Sequence, residues 1–131
     1  MGRNYDPWIH AFELRLDIIE EDLSGKQRGE YRHSERLIIL RKGLSERAAR
    51  CTLAHEIQHA LAGDVPTCSK SLQRKAELRA CRRAAWALID PFEYQEAEQL
   101  HDGHHPSIAH SLNVTTKVLN DWQCAINMVA A

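Results

Sequence analysis

The chain has 131 residues, 44% of them hydrophobic and 27% charged, with a formal net charge of −1. This size suits one domain on one core, and the charge balance excludes a general binder of nucleic acid or anionic membrane, leaving room only for a local basic patch. No apolar run approaches the roughly 20 residues of a membrane span, and the stretch Met1 to Trp8 offers no apolar core for a secretion signal, so a cytoplasmic protein is expected.

In chain order, Pro7 suits the first turn of a short helix carrying Trp8, Ile9 and Phe12. Leu14, Leu16, Ile18 and Glu20 alternate with polar positions, which predicts a strand. Gly25 to Gly29 reads as a flexible polar loop. Tyr31 to His33 and the branched apolar run Leu37 to Leu40 flank Ser34-Glu35, which predicts a hairpin and a sheet of three strands. After Gly43 the period changes. Ser45 is a good N-cap for a helix that runs to Ala62 and stops at Gly63. Leu53, Ile57, Ala60 and Leu61 give that helix one apolar face. A loop from Asp64 to Ser69 leads to a second long helix, from about Ser71 to Ile89, ending before Pro91. A third spans Pro91 to Leu100. Beyond the turn at His101 to Pro106, two short helices are expected near Ser107 to Leu112 and Thr115 to Met128. The segment Ser107 to Trp122 has the rhythm of a helix-turn-helix, but Lys117 is its only Lys or Arg, so its apolar residues read as core packing. The pair Arg82-Arg83 reads as a solvated helix face.

The chemistry concentrates in His55-Glu56-Ile57-Gln58-His59. Histidines four apart on a helix project from the same face and can grip one zinc ion. Zinc lowers the pKa of a bound water to about 7, so that Glu56 can accept its proton and pass it on to a leaving nitrogen. A third protein ligand is required. A third histidine six residues after the second is missing, because Val65 stands there and Ala62 replaces the expected glycine. The ligand should therefore be a carboxylate on the following helix. Glu77 is the choice, 18 residues after His59, with Ala76, Ala80 and Ala84 letting the two helices approach. Its rivals are Asp64, Glu93 and the histidines at 101, 104 and 105. Manganese or iron would also suit such a ligand set. Cys51 and Cys81 are spaced to face the metal region, but small residues at a tight helix contact are the simpler reading. No Cys-x-x-Cys pair occurs among the four cysteines, so a cysteine zinc knuckle is not expected. Tyr94, His101, His104 and His105 are candidate donors to the oxyanion formed on the attacked carbonyl.

Thr52 to Asp64, Glu77-Leu78-Arg79-Ala80 and Ala84 to Pro91, together with Tyr5 to Trp8 and Ile108 to Val114, resemble the ImmA/IrrE-type metallopeptidases, in particular small phage and actinobacterial members. The resemblance implies an α+β fold. A small three-stranded sheet would pack on a helical, zincin-like (gluzincin-type) core, followed by C-terminal helices. One domain would span 1–131: helix and sheet in 1–43, the motif helix and third-ligand helix in 44–91, and C-terminal helices in 92–131. It implies zinc on His55, His59 and Glu77, catalysis by Glu56, and a helix-turn-helix transcriptional repressor as substrate in a phage, prophage or stress circuit. Two departures stand out: Cys81 where many members have an acid or amide, and Arg83 where an aromatic is frequent. The alternatives are a non-catalytic, zinc-stabilised module that traps a repressor, and a DNA-binding regulator.

Overall fold

The computed structural model describes residues 2–130; Met1 and Ala131, the ends of the expected domain, lie outside the described residues. A 3-10 turn at Gly2–Asn4 precedes helix α1 (Pro7–Glu13). The Asp6 carboxylate caps α1, accepting from the Trp8 and Ile9 backbone N–H groups at 2.9 and 3.3 Å. The face α1 buries is Pro7 and Ala11, while Phe12 is 82% exposed. Trp8, Ile9 and Phe12, the large apolar residues of the expected helix, look outward, because only the small side chains fit against α2.

The first strand starts later than the alternation suggests. Leu14 and Arg15 form a turn, with Arg15 in the left-handed region at φ 58. Leu16 is buried, and β1 runs Asp17–Glu21. Strands β2 (Gly29–Arg32) and β3 (Leu37–Arg41) complete the sheet. Its order is β1-β3-β2, with β1 parallel and β2 antiparallel to β3. Ile38, Ile39 and Leu40 are all buried, which fits a central strand covered on both faces. Both β1 and β2 are edge strands. Gly29 thus belongs to a strand and not to the loop.

Helix α2 (Glu46–Ala62) is capped by Ser45, whose hydroxyl accepts from the Ala48 N–H at 3.1 Å, and ends at Gly63 in the left-handed conformation, φ 67. It is buried almost all round, with Cys51, Leu53, Ala54, Glu56, Ile57, Gln58, His59 and Ala60 all covered. The single apolar face expected of it is replaced by a central helix with two packing faces. Leu53, Ile57 and Ala60 meet Ala11, Leu16, Ile38 and Leu40 beside the sheet. Cys51 and Ala54 meet the C-terminal helices.

Those helices are α3 (Lys70–Leu88), α4 (Pro91–Leu100), α5 (His105–Ser111) and α6 (Thr116–Ala130). Ser69 caps α3, one residue earlier than expected, and Ile89 leaves it in an extended conformation. Ala80, Ala84 and Ala85 are buried where α3 lies on its neighbours, small enough for close approach. The segment with helix-turn-helix rhythm is core: Ile108, Ala109, Leu112, Val114, Val118, Leu119 and Trp122 are all buried. Fully burying one large aliphatic side chain of this kind contributes about 1.5–3 kcal/mol. Arg50, only 5% exposed, ties the parts together. Its guanidinium donates to the carbonyls of Gly2, Tyr5 and Asn113 at 2.9, 3.1 and 2.8 Å. Burial lowers its pKa, and carbonyl oxygens stand in for a carboxylate partner. The protein is α+β, with a small three-stranded sheet and, among the described residues, six α-helices. None of the described helices is long and apolar enough to cross a membrane.

Candidate metal centre

Helical spacing puts His55 and His59 on one side of α2, and their rings meet edge to face with centroids 4.9 Å apart. Glu77 comes from α3, whose buried alanines let the two helices lie close. The Nε2 atoms of the two imidazoles are 3.2 Å apart. The Glu77 carboxylate oxygens lie 3.2 Å from His55 Nε2 and 2.8 Å from His59 Nε2. All three side chains therefore offer one donor atom within 4.8 Å of the others. A tetrahedral ion with bonds of about 2.0–2.2 Å needs donors roughly 3.3 Å apart, so the set fits a cation after small adjustments.

Each imidazole is held from behind. His59 Nδ1 donates to Asp64 Oδ2 at 2.8 Å, and Arg79 clamps both oxygens of that carboxylate. His55 Nδ1 lies 3.7 Å from Cys81 Sγ, and Lys117 Nζ donates to the same sulfur at 3.4 Å. With both Nδ1 atoms engaged, both Nε2 atoms face inward, toward Glu77. Cys81 is therefore a neighbour of His55 and not simply a small residue at a helix contact, whereas Cys51 is buried core as expected. Asp64, considered as a rival ligand, lies behind His59. Glu93 binds Arg3 at 2.7 Å, and His101 bonds Ser111 at 2.6 Å, so neither points to the site.

The charges follow from these contacts. Burial would lower His55, but the bonds to Cys81 and Glu77 and the Glu56 charge outweigh it and lift the imidazole to about 10. His59 is raised in the same way against burial, by Glu77 and Asp64. The two imidazoles hold the Glu77 carboxyl far below the ordinary carboxylate range. Burial pushes Glu56 up, and the nearby imidazoles only partly offset it.

Glu56 is 5% exposed and lines a cleft of about 530 Å³ together with His55, Glu77, Cys81 and Gly29. Gly29 sits over it. A Cβ there would come within 2.6 Å of Thr52 Cγ2 and 3.1 Å of Glu56 Cγ, so the strand can pass this close only without a side chain. Apart from a glycine in a polar stretch, nothing in the sequence marked that role. The anticipated oxyanion donors are elsewhere. Tyr94 stacks on Trp122 and accepts from Gln123, His104 caps α5, and neither they nor His101 and His105 line the cleft. The long side-chain donors in the cleft wall are Lys26, Gln27, Arg28, Gln73 and Lys117.

Two imidazoles and a carboxylate converging beside a buried glutamate, in an open cleft, is the site plan of a metallopeptidase. The chain belongs to the M78 peptidase family: the family model described as the IrrE N-terminal-like domain matches residues 11–121. Among curated proteins no match was found.

Proposed function

We propose that this chain is a zinc-dependent endopeptidase of narrow specificity whose substrate is a helix-turn-helix repressor, in a phage, prophage or stress-response circuit of a bacterial cytoplasm. We read it as one metallopeptidase domain, since α2 serves both apolar clusters, with the gluzincin-type core that the ImmA/IrrE resemblance implies. The observation that carries the reading is the convergence of His55, His59 and Glu77 on one point, with Glu56 buried in the same cleft wall. Membership of the M78 family supports the peptidase reading, and the resemblance to ImmA/IrrE proteins supports the repressor substrate.

His55, His59 and Glu77 would hold the zinc, which when bound would polarise the scissile carbonyl and acidify a water. Glu56 accepts the proton of the attacking water and returns it to the leaving nitrogen, a role suited to a carboxylate whose proton affinity burial has raised. Asp64 and Cys81 keep the imidazoles turned inward. Strand β2 is an edge strand whose first residue, Gly29, lines the cleft, and an extended peptide can add to such an edge as a strand.

The test is incubation of the zinc-loaded protein with the helix-turn-helix protein encoded next to it, followed by mass spectrometry. Wild type should cut at one bond. Glu56→Gln should bind zinc as before yet lose at least about a hundredfold in rate, the scale of general-base catalysis. Undiminished cleavage by Glu56→Gln removes the proposed base. Binding without any cleavage would point to a trapping module.

A further inference from the structure

The loop before β2 is a built wall of the cleft. Arg41, on the central strand, donates from Nε to the Gln27 carbonyl at 2.5 Å and from Nη2 to the Gly25 carbonyl at 2.7 Å. Its backbone N–H also donates to the Arg28 carbonyl at 2.8 Å. Gly25, at φ 65, makes the turn that exposes these carbonyls. The pinned segment carries Lys26 and Arg28, and both line the cleft that contains Glu56. Among the described residues neither is in an ion pair. Of the other charges of the cleft, Lys117 pairs with Asp121 at 2.8 Å and Glu77 with the two imidazoles, while Glu56 is buried in the wall. The far end of β2 is matched too, since Arg32 pairs with Glu30 at 2.8 Å and reaches Glu35 at 4.0 Å.

The exposed cations without an ion pair in the cleft wall therefore lie at one end only, just before β2. Gly29 marks the position of Glu56 along the strand, and Arg28 and Lys26 stand one and three residues before it. A peptide laid along β2 advances about 3.3 Å per residue. Arg28 directly precedes the strand and Lys26 lies in the turn before it, so the first few side chains of such a peptide on that side would meet the part of the cleft wall that carries both cations.

We propose that Lys26 and Arg28 are specificity determinants that select substrates with an aspartate or glutamate within about three residues of the scissile bond, on one side of it. This deepens the peptidase reading of the same cleft and rests on it. The pinned backbone matters because cations held in place lose less freedom on binding than cations on a mobile loop.

The test has two arms. In the first, the zinc-loaded full chain digests a random peptide library, and the cut products are sequenced by mass spectrometry. Acidic residues should be enriched about fivefold at one or two positions on one side, the yield of a pair or two of partly solvated ion pairs. Lys26→Gln/Arg28→Gln should erase the enrichment, and Lys26→Glu/Arg28→Glu should turn it into enrichment of Lys and Arg. Both positions are exposed, so these variants leave the core intact. The second arm needs no cleavage. Fluorescence anisotropy compares an acidic peptide with its lysine counterpart on Glu56→Gln protein, where the acidic one should bind about fivefold tighter and lose that margin at high salt. Equal binding of the two peptides, or cleavage whose acidic preference survives charge reversal, overturns the proposal. Tighter binding of the acidic peptide in the second arm, with no cleavage by the wild type in the first, supports the cation site while telling against the peptidase reading.

Discussion

Asp64 accepts the Nδ1 hydrogen of His59 at 2.8 Å and thereby links two helices, because the same carboxylate is clamped by Arg79, two residues beyond Glu77 on α3. The link starts at the left-handed Gly63, which turns the chain so that Asp64 folds back on α2. A partner behind a ligating imidazole sets its tautomer and its aim. We therefore expect Asp64→Ala to weaken zinc binding by about 10- to 100-fold, measured by competition with a chromogenic chelator. Arg79→Gln should weaken it less, because the His59 bond survives. Unchanged affinity in Asp64→Ala would show that the bond is incidental.

The imidazoles also set a pH dependence. In the metal-free chain His55 is raised from 6.5 to about 10, and Glu77 is held below its usual 4.5. A raised imidazole contributes stability below about pH 6.5 that is lost as pH climbs toward 10. A depressed carboxyl contributes stability above 4.5 that is lost on acidification. These are two views of one interaction, so the metal-free protein should be most stable between roughly pH 4.5 and 6.5, seen as a maximum in its melting temperature. Metal must displace the imidazole protons, so zinc uptake should release protons and weaken as pH falls. Calorimetry in buffers of different ionisation enthalpy counts those protons. A count of zero would contradict the geometry.

Gly29→Ala should impair catalysis more than folding. The new methyl would meet Thr52 Cγ2 at 2.6 Å and Glu56 Cγ at 3.1 Å. Displacing a catalytic group by a fraction of an ångström costs on the order of tenfold or more. We expect kcat to fall by about that factor with KM little changed. Thr52→Ser removes the nearer obstacle and should restore part of the loss in the double variant. A Gly29→Ala protein with wild-type kcat would mean that Glu56 has more room than the strand leaves it.

Arg50 should matter for stability and not for the reaction. Arg50→Met keeps much of the volume but leaves the carbonyls of Gly2, Tyr5 and Asn113 without their buried donor. Several buried acceptors losing one charged donor should cost about 3 kcal/mol. Urea denaturation would read this as a lower midpoint at unchanged slope. A loss below about 1 kcal/mol would show that water replaces the guanidinium readily.

Local signals made most of the elements readable. Ser45 and Gly63 bound the first long helix because caps act on their own backbone neighbours. The hairpin followed from Leu37 to Leu40, and the pair His55 and His59 from helical spacing. Contacts made across the fold were harder to read. Trp8, Ile9 and Phe12 face outward although they are the apolar residues of α1, because the space against α2 admits only Pro7 and Ala11. Nothing local distinguished Asp64 as a candidate ligand from Asp64 as the hydrogen-bond partner of His59. Cys81 looked like a filler because its distance to His55 depends on how α3 lies on α2.

The sequence by itself determined the chemistry available: two imidazoles one helical turn apart, a carboxylate beside the first, and a second helix able to bring another. Those facts rest on backbone periodicity, which a short window of residues sets. Only the tertiary structure decided which groups stand behind the imidazoles, why residue 29 must lack a side chain, and that the chain before β2 is pinned by Arg41. Each of these depends on distances between segments far apart in sequence, and such distances come from how the core packs.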